Sequence, residues 1–147
     1  MKTTIKTNKE VEIKKVVVKA GVRYWEDCSV NGLDYNEESS PDFSKIPCKE
    51  NDTWCPIIDV DNGVVLNWAK GTKLKTHFKV CDECSFSLVD AEGNTVYSRD
   101  EYVPSFLSID DSGYGDYIYL TIDEEGKILN WKKELVEDFL SELEEED

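Results

Sequence analysis

The sequence predicts a mainly β (α+β) protein in which repeated antiparallel β-hairpins form a sheet or barrel and one amphipathic α-helix closes the chain. Two observations carry this. Three stretches, Ile57 to Trp68, Leu88 to Tyr97 and Leu120 to Trp131, share one pattern: apolar residues, an acidic turn ending in glycine, then apolar residues again. Glycine tolerates the positive φ such turns need, so Asp-x-x-Gly between runs of Ile, Val, Leu and Tyr reads as a hairpin. After Trp131 the period changes, with Leu135, Val136, Phe139, Leu140 and Leu143 recurring at three and four residues among acids. That is the pattern of an amphipathic helix.

The elements follow in order. Val11 to Ile13 and Val16 to Val18 form a β-branched opening strand, and Ala20-Gly21 interrupts it before Val22 to Trp25. Asn31-Gly32 predicts a tight turn. Residues 34 to 53 hold Asn36, Pro41, Pro47 and several acids with few apolar groups, and read as the longest loop. Thr72 to Val80 alternates Leu74, Thr76, Phe78 and Val80 with Lys73, Lys75, His77 and Lys79, a strand with one basic, wet face. Phe86 and Leu88 lead through Asp90 to Gly93 into Thr95 to Tyr97, and Ser112 to Gly115 introduces the strand Tyr117 to Leu120.

At 147 residues the chain suits one domain, a hairpin-rich body over 1–133 with 134–147 as its acidic helical tail. Acidic residues at the end of that helix oppose the macrodipole and should fray Glu144 to Asp147. The helix stripe packs on this domain or, failing that, on a partner or a second copy. Hydrophobic residues at 39% and aromatics at 11% support a folded core.

Charge is the unusual quantity. The 32 Asp and Glu against 17 Lys and Arg give a formal net charge of -15, which disfavours nucleic acid or an anionic membrane as a direct ligand and favours a basic protein partner. The acids cluster: residues 134 to 147 hold eight and no base, and so does the stretch from Asp100 to Gly126. Six lysines in residues 1 to 20, and Lys70, Lys73, Lys75 and Lys79, are the opposing basic stretches. The candidate partner-binding residues are Asp110, Asp111, Asp116, Asp123, Glu124 and Glu125, with Glu134, Glu137 and Asp138 of the tail. No basic start with an apolar run of signal-peptide length is present, and the five cysteines would leave one unpaired in a secreted protein; the sequence predicts a cytoplasmic location.

No cofactor or metal is expected. Cys81-Asp82-Glu83-Cys84 with Cys48 and Cys55 could supply four thiolates to zinc, but the gap between Cys48 and Cys55 is poor for a structural site, and the cysteines read mainly as core-lining thiols. Asp59-Val60-Asp61-Asn62-Gly63 resembles the start of a calcium loop, but lacks the third acid and the distal glutamate; hairpin turns with solvated acids are the better account. His77 is the single histidine and has no nucleophile near it in sequence, so no enzyme activity is expected. Trp25, Trp54, Trp68 and Trp131 could make a platform for sugars, but Trp68 and Trp131 stand at equivalent ends of two repeats, which favours core caps.

Arg23-Tyr24-Trp25-Glu26-Asp27, Val30-Asn31-Gly32, Ile57-Ile58-Asp59 with Asn67-Trp68, and Gly113-Tyr114-Gly115-Asp116-Tyr117-Ile118 resemble a group of short acidic proteins of bacteria and their phages. No activity or site is attached to that group, and the acidic tail departs from its usual ending. The resemblance implies a mobile-element origin. Together these readings predict a non-enzymatic protein-binding protein, a phage or mobile-element inhibitor that presents carboxylates as an acidic nucleic-acid mimic to a basic host (defence) protein. The alternative is a small-ligand or carbohydrate-binding β-domain with an aromatic pocket between sheet and helix.

Overall fold

The computed structural model describes residues 12–21, 25–35, 46–79, 84–102, 104–110 and 117–145. Eleven strands are β1 (Ile13–Gly21), β2 (Trp25–Val30), β3 (Leu33–Tyr35), β4 (Lys49–Glu50), β5 (Thr53–Trp54), β6 (Ile57–Asp59), β7 (Leu74–Lys79), β8 (Ser85–Asp90), β9 (Thr95–Asp100), β10 (Tyr117–Ile118) and β11 (Thr121–Ile122). A 3-10 turn, Ser105–Leu107, and the helix α1, Lys133–Glu145, complete the described elements. All strand pairings are antiparallel, and they form two sheets.

The first sheet runs β4-β5-β1-β8-β9, with β6 also on β1. Strand β1 alternates, burying Val16, Val18 and Ala20, while a register shift against β8 between Ile13 and Lys15 lets Ile13 reach the same core. Its other edge is shared. β5 pairs with Ala20 and Gly21, β6 pairs with Lys15 to Val17, and between them the Val18 N–H donates to the Pro56 carbonyl at 3.1 Å. The second sheet runs β10-β7-β2-β3, and there too one edge is divided, between β10 and β11 on β7. At the break the Leu120 N–H donates to the Thr76 hydroxyl at 3.1 Å and the Thr76 N–H to the Leu120 carbonyl at 2.9 Å. Both polar groups of the interrupted ladder are thereby satisfied in a fully buried place.

The acidic turns share one chemistry. In the β8–β9 turn, Asp90 Oδ1 accepts from the N–H groups of Glu92 and Asn94, and Gly93 sits at φ +86°. After β11, Asp123 Oδ1 accepts from Glu125 and Lys127, and Gly126 sits at φ +88°. The turn after β6 is one residue longer, so Asp59 Oδ1 takes the Asp61 N–H while Asn62 Oδ1 takes that of Val64. Aspartate is there for its acceptor and glycine for its φ. Asn31 and Gly32, at φ +52° and +81°, make the predicted two-residue turn between β2 and β3.

One expectation is corrected. The span 34 to 53, read as a single loop, contains the end of β3, all of β4 and the start of β5. The β4–β5 hairpin turns at Asn51, whose φ is +55°. Strands of two residues are too short to leave an alternation in sequence. The rest of that span, 36–45, lies outside the described residues, as do Val22 to Tyr24, Val80 and the turn Ser112 to Gly115.

Helix α1 begins one residue before Glu134 and continues to Glu145, while 146–147 lie outside the described residues. Val136 and Phe139 are buried and Leu135 and Leu140 pack against the core. Phe139 is the hub. Its ring lies 5.5 Å from Phe86, 5.6 Å from Phe106, 6.1 Å from Tyr97 and 6.3 Å from Tyr102. Val136 and Phe139 of the helix stripe are thus covered by this chain's own core. No helix among the described residues is long and apolar enough to cross a membrane.

Candidate acidic interface

The two divided edges lead into the two repeats that end in Leu-Asn-Trp, and these hairpins interlock. The Val65 N–H donates to the Gly126 carbonyl at 2.7 Å, and the Ile128 N–H returns a bond to the Gly63 carbonyl at 2.9 Å. Val64 and Lys127 are bridge partners. Each tryptophan then covers the other repeat's glycine: a Cβ on Gly63 would lie 2.4 Å from Trp131 Cγ, and one on Gly126 would lie 2.7 Å from Trp68 Cγ. The indole N–H groups are used as well, Trp131 Nε1 donating to the Val60 carbonyl and Trp68 Nε1 to the Thr72 carbonyl, both at 2.8 Å. A repeat visible in the sequence is therefore a joint between the two sheets.

That joint decides which acids are available to a partner. Asp123 is half-buried and its carboxylate caps its own turn. Asp110 is half-buried too, with Oδ2 accepting from the Thr121 hydroxyl at 2.6 Å and Oδ1 from Asn130 Nδ2 at 3.3 Å. Both hold the second repeat in shape. Glu124 and Glu125, which follow Asp123 in the turn, are exposed and line an open groove of about 570 Å³ with Val64, Lys70, Gly71 and Lys127. Asp111 and Asp116 lie outside the described residues. Of the described acids between Asp100 and Gly126, Asp110 and Asp123 are thus internal acceptors, whereas Asp100 and Glu101 are exposed and Glu124 and Glu125 form an exposed tip beside two lysines.

The helix keeps its acids together. Glu134, Glu137, Asp138 and Glu142 are all exposed. Spacings of three and four residues put them on one side of α1, opposite the packed stripe, within about 12 Å along the axis. The last turn carries no base. At its start Lys133 Nζ pairs with Asp61 Oδ1 at 3.2 Å, and Lys14 Nζ reaches Asp61 Oδ2 at 3.3 Å. The two lysines beside Asp61 hold its carboxyl below the ordinary carboxylate value, with hydrogen bonds from Lys133 and then Lys14 as the leading causes. Sequence reading placed Asp61 among the solvated turn acids. The repeated five-residue offset from glycine to tryptophan, at Gly63-Trp68 and Gly126-Trp131, was the signal for the joint that brings it to α1.

Other chemistry is sparse. Among the described residues no three His, Cys, Asp or Glu side chains come together as a metal site. Cys84 is buried in the core, away from solvent, and Cys81 lies outside the described residues. Of the tryptophans, Trp54 is fully buried and Trp68 and Trp131 are held in the joint. A groove of about 500 Å³ does lie beside α1, lined by Ser105, Phe106, Ile109, Asn130, Lys132 and Leu135; Phe106, its one aromatic, is itself buried. Comparison with protein-family models, curated proteins and solved structures finds no match for this chain.

Proposed function

We propose that this chain is a non-enzymatic binding protein that presents the outer face of α1, with the tip Glu124-Glu125 as an accessory, to the basic groove of a nucleic-acid-handling protein. The observation that carries the reading is the division of α1 into a packed apolar side and an outer side of Glu134, Glu137, Asp138 and Glu142, with Lys133 at the helix start engaged by Asp61. Because the apolar side is used internally, what remains for a partner is charge. Carboxylates on a rigid helix stand where phosphates would stand on nucleic acid, and a net charge of -15 speeds encounter with a basic surface. A phage or mobile-element inhibitor of a host defence protein fits this description. Asp110 and Asp123 act in it as supports of the turn.

The test is displacement of labelled duplex DNA from purified host nucleases, followed by fluorescence anisotropy across a sodium chloride series. The full chain should displace DNA, and its affinity should fall steeply as salt rises. Combined Glu134→Lys, Glu137→Lys and Asp138→Lys should weaken binding about tenfold or more, since like charges then face each other. Glu92→Lys, at the exposed β8–β9 turn, should leave it unchanged. Affinity indifferent to ionic strength, or equal loss from both variants, discards the mimic.

A further inference from the structure

The hairpin β4–β5 is flanked by two cysteines whose backbones are hydrogen-bonded to each other. Its register pairs Lys49 with Trp54 and Glu50 with Thr53, and one step further out Cys48 stands opposite Cys55, with the Cys55 N–H donating to the Cys48 carbonyl at 2.9 Å. That bond holds the two backbones side by side, and a disulfide needs Cα atoms about 4.4–6.8 Å apart. We propose that Cys48 and Cys55 are a redox modification site, a cross-strand dithiol that closes to a disulfide.

Three features single this pair out. Cys48 is partly buried against the core and Cys55 lies at 9% exposure, whereas Cys84, at 2%, is sealed in the core. Cys48 also holds φ +62°, a left-handed conformation rare for residues other than glycine, asparagine and aspartate, so a thiol is kept where the backbone favours something else. Finally, Asn67 fastens both positions. Its backbone carbonyl and its Oδ1 both accept from Cys48 Sγ, at 3.1 and 3.3 Å, Oδ1 also takes the Ile57 N–H at 3.0 Å, and Nδ2 donates to the Cys55 carbonyl at 2.9 Å. Closure replaces both Cys48 Sγ hydrogen bonds with a covalent link and clamps the outermost hairpin of the first sheet.

The chemistry is thiol–disulfide exchange with a low-molecular-weight disulfide such as glutathione disulfide. The Cys48 thiolate attacks one of its sulfurs and releases a glutathione thiol; Cys55 then attacks Cys48 Sγ and releases the second. The protein loses two electrons and two protons, and both glutathione thiols gain them. Burial, with the neighbouring Cys55, pushes the Cys48 thiol up to about 12, and burial raises Cys55 also. Closure is therefore slow at neutral pH and speeds up about tenfold per pH unit, because the thiolate is the nucleophile.

Incubating the full chain with glutathione disulfide at about pH 8.5, digesting with trypsin without reduction and weighing the fragments tests this. The expected product joins the peptide Ile46 to Lys49 to the peptide Glu50 to Lys70, two hydrogens lighter than the separate pair, and dithiothreitol restores both. Cys48→Ser and Cys55→Ser should each abolish it. Glutathione persisting on Cys48, or Cys48 joined to another cysteine, or no reaction at either thiol, overturns the proposal.

Discussion

Asp61 shows how little a residue's type says of its duty. Local chemistry gives it a place in a hairpin turn, where Asp59 and Asn62 serve the backbone and leave its carboxylate free. Two elements distant in sequence then supply Lys14 and Lys133. Its carboxyl is held below the ordinary 3.8 in the folded chain, so it contributes stability that is present above that value and lost as pH falls through the folded one. Asp61→Asn should therefore be less stable than the parent at about pH 6 by urea denaturation, and the two should converge as the pH falls below 3.8. The difference is small, because pairs this exposed are screened by solvent and salt. A constant gap down to the lowest pH would assign the loss to something other than the carboxylate.

Among the elements, the two Trp-ended hairpins carry the argument. Each sheet breaks one edge strand, at Pro56 and at Leu120, and the freed chain turns through Asp and Gly to meet its counterpart. Gly63→Ala adds a methyl against Trp131 at φ +72° and should cost about 3 kcal/mol. In a Trp131→Gly background, which removes the Trp131 Cβ as well as the indole, the collision is gone, and the same change should cost only the strained φ, about 1 kcal/mol. Gly93→Ala, with open space at its turn, should behave like the second case even in the parent. Denaturant midpoints of the four members of the cycle measure the coupling. Strict additivity would mean that the indole does not rest on the glycine.

At the scale of the molecule, charge is gathered as well as abundant. The exposed α1 acids lie on one side, with Lys133 near Glu137 at the helix start, and the net charge of -15 adds self-repulsion throughout the compact state. Raising sodium chloride shortens the screening length from about 10 Å at 0.1 M to about 3 Å at 1 M. The melting temperature should rise over the first part of that range, and Glu137→Gln with Glu142→Gln should shrink the rise. A melting temperature that falls with salt would show attraction, through pairs such as Lys133 with Asp61, outweighing repulsion. The same experiment bears on binding, since only a dense field of carboxylates steers a basic partner.

The sequence by itself determined the parts whose causes are local. Turns at Asn31-Gly32, Asp90 to Gly93 and Asp123 to Gly126 follow from residues that accept a nearby N–H or adopt a positive φ, and α1 follows from its period. Tertiary structure alone decided which carboxylates stay free, because Thr121 and Asn130 must be folded against Asp110 before its oxygens are taken. It alone set Trp68 on Gly126, Trp131 on Gly63, and the two-residue strands that bring Cys48 opposite Cys55. A pattern along a chain records which side of an element is apolar; which element it meets is fixed by the packing of surfaces far apart in sequence.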